Sequence, residues 1–320
     1  MHERHFLFIP NLISYSMTST VLYRYIGDFL ILQDSNRKEF RIKTNIYHPA
    51  LTCNNSTLYL SGGQTLSILS PCIYSLDLTQ DFSSITFPES FSFLGNMAFH
   101  RFHHTLTFCN NTLYMLGGND NHSVGNFSER LKLNDPDCQA VPPIPGPCML
   151  HSTTFNNGKI YVVGGLNSQS KYNENIYVFD TLTEKWISKP AKLILTTKPV
   201  LIPLCRKSFV VIGGWNKDCK FNNKVVVVDT EKWRERVLKH LVIGEYFHSF
   251  IVEGGILSLM DHTGLVHRRS MGLIKERSEF KLWKKEIWMR RKAFLYFLAF
   301  NKNAQFNLPL HIAREISEFL

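Results

Sequence analysis

The chain has 320 residues, of which 44% are hydrophobic and 13% aromatic, and carries a formal net charge of +10. That is enough apolar material for a sizeable core, which excludes a disordered polymer, while no run reaches the roughly 18 apolar residues that a membrane span needs. Much of the charge excess gathers near the C-terminus, so it reads as a solvated basic surface rather than a footprint for nucleic acid, and no nucleic-acid partner is expected.

Residues 1–19 read as an irregular segment. The apolar Phe6-Leu7-Phe8-Ile9 is cut by Pro10 and Asn11, and no clear small-residue cleavage site comes after it. Strands are predicted within 20–44: Val21 to Tyr25, a Gly27-Asp28 turn, Phe29 to Leu32, then Phe40 to Ile42.

From residue 46 onward the chain repeats. Leu58-Tyr59-Leu60-Ser61 runs into Gly62-Gly63, Leu113 to Leu116 into Gly117-Gly118, Ile160 to Val163 into Gly164-Gly165, and Phe209 to Ile212 into Gly213-Gly214. The first glycines are spaced by 55, 47 and 49 residues. From Gln33 to Gly62 is 29 residues, so the strands at 20–44 are too close to Gly62 for a full repeat unit between them. A fifth copy, Ile256 to Met260, ends at Asp261 without the glycine pair. Asn54-Asn55, Asn110-Asn111 and Asn156-Asn157-Gly158 precede the glycine-ended strands and supply turn chemistry suited to positive φ. A third strand comes next, as in Asn175 to Asp180 and Lys224 to Asp229, and a fourth bears Trp186 or Trp233. Four short strands at a period near fifty predict the blade of a propeller.

On the strand-Gly-Gly core, Tyr177, Trp186 and Trp233, the sequence resembles the kelch-repeat β-propellers over roughly residues 46–270. The resemblance implies an all-β, kelch-type β-propeller. About six four-stranded blades are expected, with five as the alternative, and ring closure borrowing a strand from either end. Gly62, Gly63, Gly117, Gly118, Gly164, Gly165, Gly213 and Gly214 are its structural glycines.

After residue 270 the pattern changes. Trp283, Ile287, Phe294 and Phe297 fall near helical spacing among Lys284, Lys285, Arg290, Arg291 and Lys292, and a second apolar stripe comes after Pro309. A short C-terminal helical hairpin is expected. The predicted division is therefore an irregular 1–19, a propeller at 20–280 and an α-helical extension at 281–320. The last dozen residues faintly resemble the segments by which SOCS-box and F-box proteins recruit ubiquitin-ligase scaffolds, which makes a ubiquitin-ligase component one partner class.

The histidines are the candidate for site chemistry. His48, His104, His151 and His248 stand 14, 13, 13 and 13 residues before the first-glycine position of their copies. Such a ring has the ligand type for a metal, but the kelch resemblance implies a repeated structural histidine, and no metal, cofactor or catalytic residue is assigned. The seven cysteines include no C-x-x-C, which reads as reduced thiols and a cytoplasmic protein. The expected function is a non-enzymatic, protein-binding scaffold or adaptor. Its specificity would lie in the loops 64–72, 119–129, 166–175 and 215–224 after the glycines, and in 88–103, 141–150 and 190–199 between blades. Arg101, His103, Asn119, Asp120, Asn167, Trp215 and Lys217 are its candidate contacts with a partner of unknown identity, and the helices would pack on the propeller or dock a second protein. A metal-dependent or sugar-active enzyme with its site at the channel is the alternative.

Overall fold

The computed structural model describes residues 22–270, apart from 27, 34–37, 55, 67, 136, 217–219, 241–246, 254–255 and 262–265. The expected irregular segment 1–19, the expected hairpin at 281–320 and Lys217 lie outside the described residues. The blades belong to one compact unit, Met1–Arg269.

Six antiparallel sheets succeed one another along the chain. Blade 1 is β1 (Leu22–Ile26), β2 (Phe29–Gln33) and β3 (Glu39–Lys43). Blade 2 is β4 (Ala50–Asn54), β5 (Thr57–Ser61), β6 (Cys72–Asp77) and β7 (Ser92–Asn96). Blade 3 is β8 (Thr105–Cys109), β9 (Thr112–Leu116), β10 (Ser128–Lys132) and β11 (Gln139–Ala140). Blade 4 is β12 (Ser152–Asn156), β13 (Lys159–Val163), β14 (Asn175–Asp180) and β15 (Lys185–Pro190). After the short β16 (Thr196–Thr197), blade 5 is β17 (Val200–Cys205) and β18 (Ser208–Ile212), then β20 (Lys224–Asp229) and β21 (Arg234–His240); β19 (Trp215–Asn216), between its second and third strands, pairs with β16. Blade 6 is β22 (Phe247–Glu253), β23 (Ile256–Asp261) and β24 (Val266–Ser270). Six is thus the blade count among the described residues, and the all-β reading holds.

The first strands lie side by side in the order β4, β8, β12, β17, β22, and β22 lies against β1. This puts the first strands around the axis and closes the ring by packing blade 6 on blade 1. Blade 1 differs from blade 2 in having three strands rather than four among the described residues. Lys43 at the end of β3 leads within a few residues to Ala50, beside Ser61, so β1, β2 and β3 run as the second, third and fourth strands of a full blade do. Its Leu22-Tyr23 corresponds to Leu58-Tyr59 of blade 2.

The core lies between blades. Tyr161, Val163, Ile176 and Val178 of blade 4 pack on Leu201, Phe209, Val211 and Val226 of blade 5. Ile160, Val162 and Phe179, on the other side of blade 4, pack on Tyr114 and Leu116 of blade 3. Each middle strand is covered on both faces, which is why β9 and β18 are buried throughout and read as unbroken apolar runs rather than alternations. Burying a side chain such as Phe209 or Ile160 stabilises by about 2 kcal/mol.

The glycine pairs stitch one blade to the next. Gly165 N–H donates to Thr196 O, in the loop leading to blade 5, at 2.9 Å; Gly63 N–H reaches Arg101 O at 3.0 Å and Gly118 N–H reaches Cys148 O at 2.8 Å. A Cβ on Gly164, at φ +72°, would stand 2.4 Å from the same Thr196 O, and one on Gly165 would stand 2.5 Å from Met149 O. Left-handed backbone and close approach of a neighbouring carbonyl both demand glycine there.

Candidate partner-binding face

A meander of antiparallel strands sorts its connections. In blades 2 to 5 the turn between first and second strands and the loop between third and fourth emerge at one end. The loop after the glycines and the loop to the next blade emerge at the other. The candidate residues read from sequence therefore gather at one face.

That face is built by a repeated ribbon. The residue after each glycine pair bridges the incoming loop of its own blade: Gln64 to Tyr47, Asn119 to Phe102, Leu166 to Met149 and Trp215 to Thr197. The same four residues bridge onward to Leu69, Val124, Tyr172 and Phe221. The incoming loop turns through a left-handed residue, at His48, His103, Leu150 and Lys198, with φ between 47° and 57°. Neighbouring turns are then joined: Leu150 N–H donates to His103 O at 3.1 Å, and Lys198 N–H to Leu150 O at 2.7 Å. Each turn immediately precedes a first strand, so these four residues surround the mouth of the axis.

Apolar side chains stand out on this lattice. Leu66 is 89% exposed and Ile68 65%, both in the loop after Gly62-Gly63. They border a cleft of about 590 Å³ that also takes in Lys43, Ile46, Tyr47 and Tyr74. Phe99 is exposed while stacked on Phe127 at 5.0 Å. Trp215 is 38% exposed and lies against Phe221 at 4.7 Å, so it presents one side to solvent while resting on its own blade.

The sequence-selected residues divide by role. His103 is half-buried, with its ring 4.5 Å from that of His48 and 4.7 Å from that of Phe102. Burial first, then Lys198 and His48, hold its pKa down to about 3. Asn119 and Asn167 turn their carbonyl oxygens inward: Asn119 accepts from Asn121 N–H at 2.7 Å, and Asn167 from Gln169 N–H at 2.9 Å and Lys171 N–H at 3.0 Å. Asp120 accepts from His122 N–H and Ser123 N–H, and these bonds, the Ser123 one foremost, hold its carboxyl below the usual range. These side chains shape their loops.

Arg101 is corrected. It is fully buried, so it makes no contact with a partner. Its guanidinium pairs with Glu129 at 2.6 Å and donates to Phe99 O at 2.8 Å and Met115 O at 3.1 Å, while Glu129 also accepts from Ala98 N–H at 2.7 Å. The pair pins the loop from blade 2 to blade 3 from beneath. Glu235 repeats the device in blade 5 by accepting from Leu193 N–H at 2.6 Å. Neither glutamate is marked by the repeat pattern; a lone acidic residue inside a run such as Ser128-Glu129-Arg130-Leu131 is the one signal the sequence offers. The loop read as 88–103 also needs division, because β7 occupies Ser92–Asn96 within it.

The histidines fall into two positions, not one. His104 Nε2 is hydrogen-bonded to Ser61 Oγ, and His151 Nε2 to Thr105 Oγ1, each at 2.9 Å. Each ring lies over the first glycine of the preceding blade, Gly62 or Gly117. Burial keeps His104 well below its ordinary pKa and His151 near 4, so both are neutral at pH 7. His48 belongs instead with His103, at the left-handed turn one residue earlier, which accounts for its spacing of 14 rather than 13. The side chain of His248 lies outside the described residues. Among the described residues, no three metal-ligating side chains gather, and no helix is long and apolar enough to cross a membrane.

Comparison with known proteins agrees with this architecture. A profile of the KLHDC2/KLHL20/DRC7 Kelch-repeats domain matches residues 104–257. Beta-scruin of Limulus polyphemus is 34% identical over 105 residues, and alpha-scruin of the same organism 31% over 106, in each case 30% of this chain and 11% of the relative. The matched stretch is thus about a tenth of the length of either scruin. A solved structure of YjhT superposes with a TM-score of 0.57 at 16% identity, covering 68% of this chain and 72% of that one, which is a likeness of fold.

Proposed function

From a chain whose repeats are kelch repeats folded as a propeller, we propose a non-enzymatic binding scaffold that engages a protein partner through the face carrying the post-glycine loops. A kelch-repeat propeller supports a protein-interaction scaffold in general. The observation that carries the specific reading is the exposure of Leu66, Ile68, Phe99 and Trp215 on loops locked to one another by repeated backbone bridges. Apolar and aromatic side chains on a rigid support are what interface hot spots require, since little ordering entropy remains to be lost on binding. His103 joins them at the centre, and Asn119, Asp120 and Asn167 act by fixing loop shape.

The divisions at 1–19, 20–280 and 281–320 are part of the same proposal, with the last segment packing on the propeller or docking a second protein, as an adaptor to a ubiquitin ligase would. A cytoplasmic setting fits the six described cysteines, none of which is joined in a disulfide among the described residues.

Photo-cross-linking tests the face. Benzoylphenylalanine replaces Leu66, Trp215 or Leu182 in the full chain. Leu182 is 90% exposed at the opposite end, in the turn after β14. Discrete adducts with one protein from positions 66 and 215, and none from 182, are expected. Equal labelling from 182, or no adduct from 66 and 215, would overturn the reading.

A further inference from the structure

The junction of blades 1 and 2 is open where the next two junctions are closed. Backbone bonds fix equivalent points in the three connections. Thr44 N–H donates to Asp28 O at 2.9 Å, Met97 N–H to Pro71 O at 2.8 Å and Ile144 N–H to Asn126 O at 3.1 Å. Tyr47, Phe102 and Met149 then bridge to the residue after each glycine pair. Four residues separate these points in the connections 97–102 and 144–149, but only two, Asn45 and Ile46, in the connection 44–47. The short connection leaves the cleft of about 590 Å³ between Ile46, Leu66, Ile68, Cys72, Tyr74 and Phe87.

The next junction shows what fills that space. Phe127 is the counterpart of Cys72, since Gly117 N–H donates to Phe127 O at 2.8 Å as Gly62 N–H does to Cys72 O at 3.0 Å. Arg101, directly before Phe102, is the counterpart of Ile46, and Glu129, opposite Met115, is that of Tyr74, opposite Leu60. There the longer connection supplies Phe99, whose ring stacks on Phe127 at 5.0 Å, with the Arg101 guanidinium 5.6 Å from the Phe127 ring. At the junction after it, Tyr177 is the counterpart of Tyr74. The Tyr177 hydroxyl stands 2.5 Å from where a Cβ on Gly146 would lie, so the longer loop covers it. Tyr177 is buried accordingly, whereas Tyr74 is half-buried.

We propose that this cleft is a socket for one aromatic side chain of the protein partner, seated where Phe99 stands at the next junction. The inference rests on the binding-face reading above and names what one part of that face receives. One wall of the cleft is already aromatic. Tyr74 meets Phe87 edge to face at 5.1 Å and Phe93 at 5.9 Å, and an entering ring extends that arrangement favourably. Leu66 and Ile68 at the rim surround the stem of the inserted residue with apolar area. An aromatic anchor in a preformed pocket is a usual form of interface hot spot.

The test is site-resolved alkylation of the full chain by iodoacetamide, read by mass spectrometry at Cys72, in the cleft, and at Cys205, the last residue of β17 at the other end. End-blocked Gly-Phe-Gly is the probe, with end-blocked Gly-Leu-Gly and Gly-Ala-Gly as controls. A ligand held by one side chain should bind with a Kd of about 1 mM, and at about ten times that concentration the phenylalanine peptide should slow alkylation of Cys72 about tenfold while leaving Cys205 unchanged. The leucine peptide should slow it about twofold at most, and the alanine peptide not at all. Cys72→Phe installs the counterpart of Phe127 and narrows the cleft, so the yield of the cross-link from position 215 should fall about tenfold in that variant. The protection assay needs only the native chain and decides even where Cys72→Phe fails to fold. Unprotected Cys72, equal protection by the leucine peptide, or an undiminished cross-link in folded Cys72→Phe would overturn the proposal. If cross-links from positions 66 and 215 form while Cys72 stays unprotected, the socket falls and the binding face stands. If the phenylalanine peptide alone protects Cys72 but the cross-links do not form, the socket stands and the wider face falls.

Discussion

The two ends of the propeller solve the same problem differently. At the end carrying the short turns, the backbone-to-backbone bonds of the described residues stay within a blade, and blades are joined there by side chains, as where Asn156 Nδ2 donates to Cys205 O of the next blade at 2.7 Å. Asp180 Oδ1 accepts from Leu182 N–H and Thr183 N–H, Asp229 Oδ1 from Glu231 N–H and Lys232 N–H, and Asp77 Oδ1 from Thr79 N–H. The ion pairs Lys159–Asp180 and Lys207–Glu231 stay within a blade, whereas Arg130–Glu184 joins blade 3 to blade 4. At the other end, the backbone of one blade is satisfied by the next, through Gly63, Gly118 and Gly165 and through the Arg101–Glu129 pair. A loop held by its neighbour cannot relax alone. The end with the longer loops is therefore the end where backbone is tied to backbone from blade to blade, and that suits it to present exposed apolar side chains.

The sharpest way to break the comparison is to remove Glu129. Glu129→Ala leaves the Arg101 guanidinium buried without its counter-charge, and loss of one partner of such a pair costs about 3–5 kcal/mol. The midpoint of urea unfolding should fall accordingly. An apolar double replacement, Arg101→Met with Glu129→Leu, should recover most of that stability, because no unpaired charge remains. If Glu129→Ala costs no more than a surface substitution, the pinning of this loop from beneath is wrong.

Two glycines compare the ends directly. Gly158, in a turn at the short-turn end, has φ +75° and nothing within 4 Å of where a Cβ would stand. Gly158→Ala should cost only the left-handed strain, about 1 kcal/mol. Gly164→Ala adds a contact at 2.4 Å with Thr196 O to similar strain, and should cost about 3 kcal/mol. Equal costs by chemical denaturation would mean that the inter-blade stitch has slack.

Acid should loosen the stitched end first. His104 and His151 are buried neutral, with folded pKa values below the ordinary 6.5. The unfolded chain binds more protons between pH 6.5 and the folded value, about 4 for His151, so stability falls as pH falls through that window. It is fully present above pH 6.5, declines by about 1.4 kcal/mol per pH unit for each histidine, and changes no further from this source below the folded pKa. Thermal melts of the native chain from pH 7.5 to 4.5 should show the decline, and His151→Gln should flatten its share of it.

Much of this architecture is legible in the sequence. A fixed period, glycine pairs after apolar strands and aspartates ending the third strands are local signals in the sequence, even though a carbonyl of the loop to the next blade is part of what demands the glycines. Contacts between blades are less legible. Arg101 reads as a loop cation because nothing near it in sequence marks Glu129 as its partner, 28 residues on. His48 groups with His104 when position is counted from the glycines, whereas its backbone conformation groups it with His103. Asn119 and Asn167 are recognisable as loop residues, but a side chain that shapes a loop and one that meets a partner look alike in sequence.

The smallest expected effect is on stability and the most telling is on binding. Leu66 and Ile68 are exposed, so the double substitution Leu66→Ser and Ile68→Ser removes almost no buried area, and its thermal midpoint should match that of Leu182→Ser to within what about 0.5 kcal/mol produces. With stability matched, any difference between the two variants reports on the face itself. Cross-linking from position 215 should be lost in the 66/68 variant and kept in the 182 variant, because exposed apolar area on a fixed lattice contributes to association and not to folding. Loss in both would place the partner across the rim rather than on one end. Retention in both would mean that the apolar loop of blade 2 is bystander surface, leaving Trp215 and the axial histidines to carry the contact.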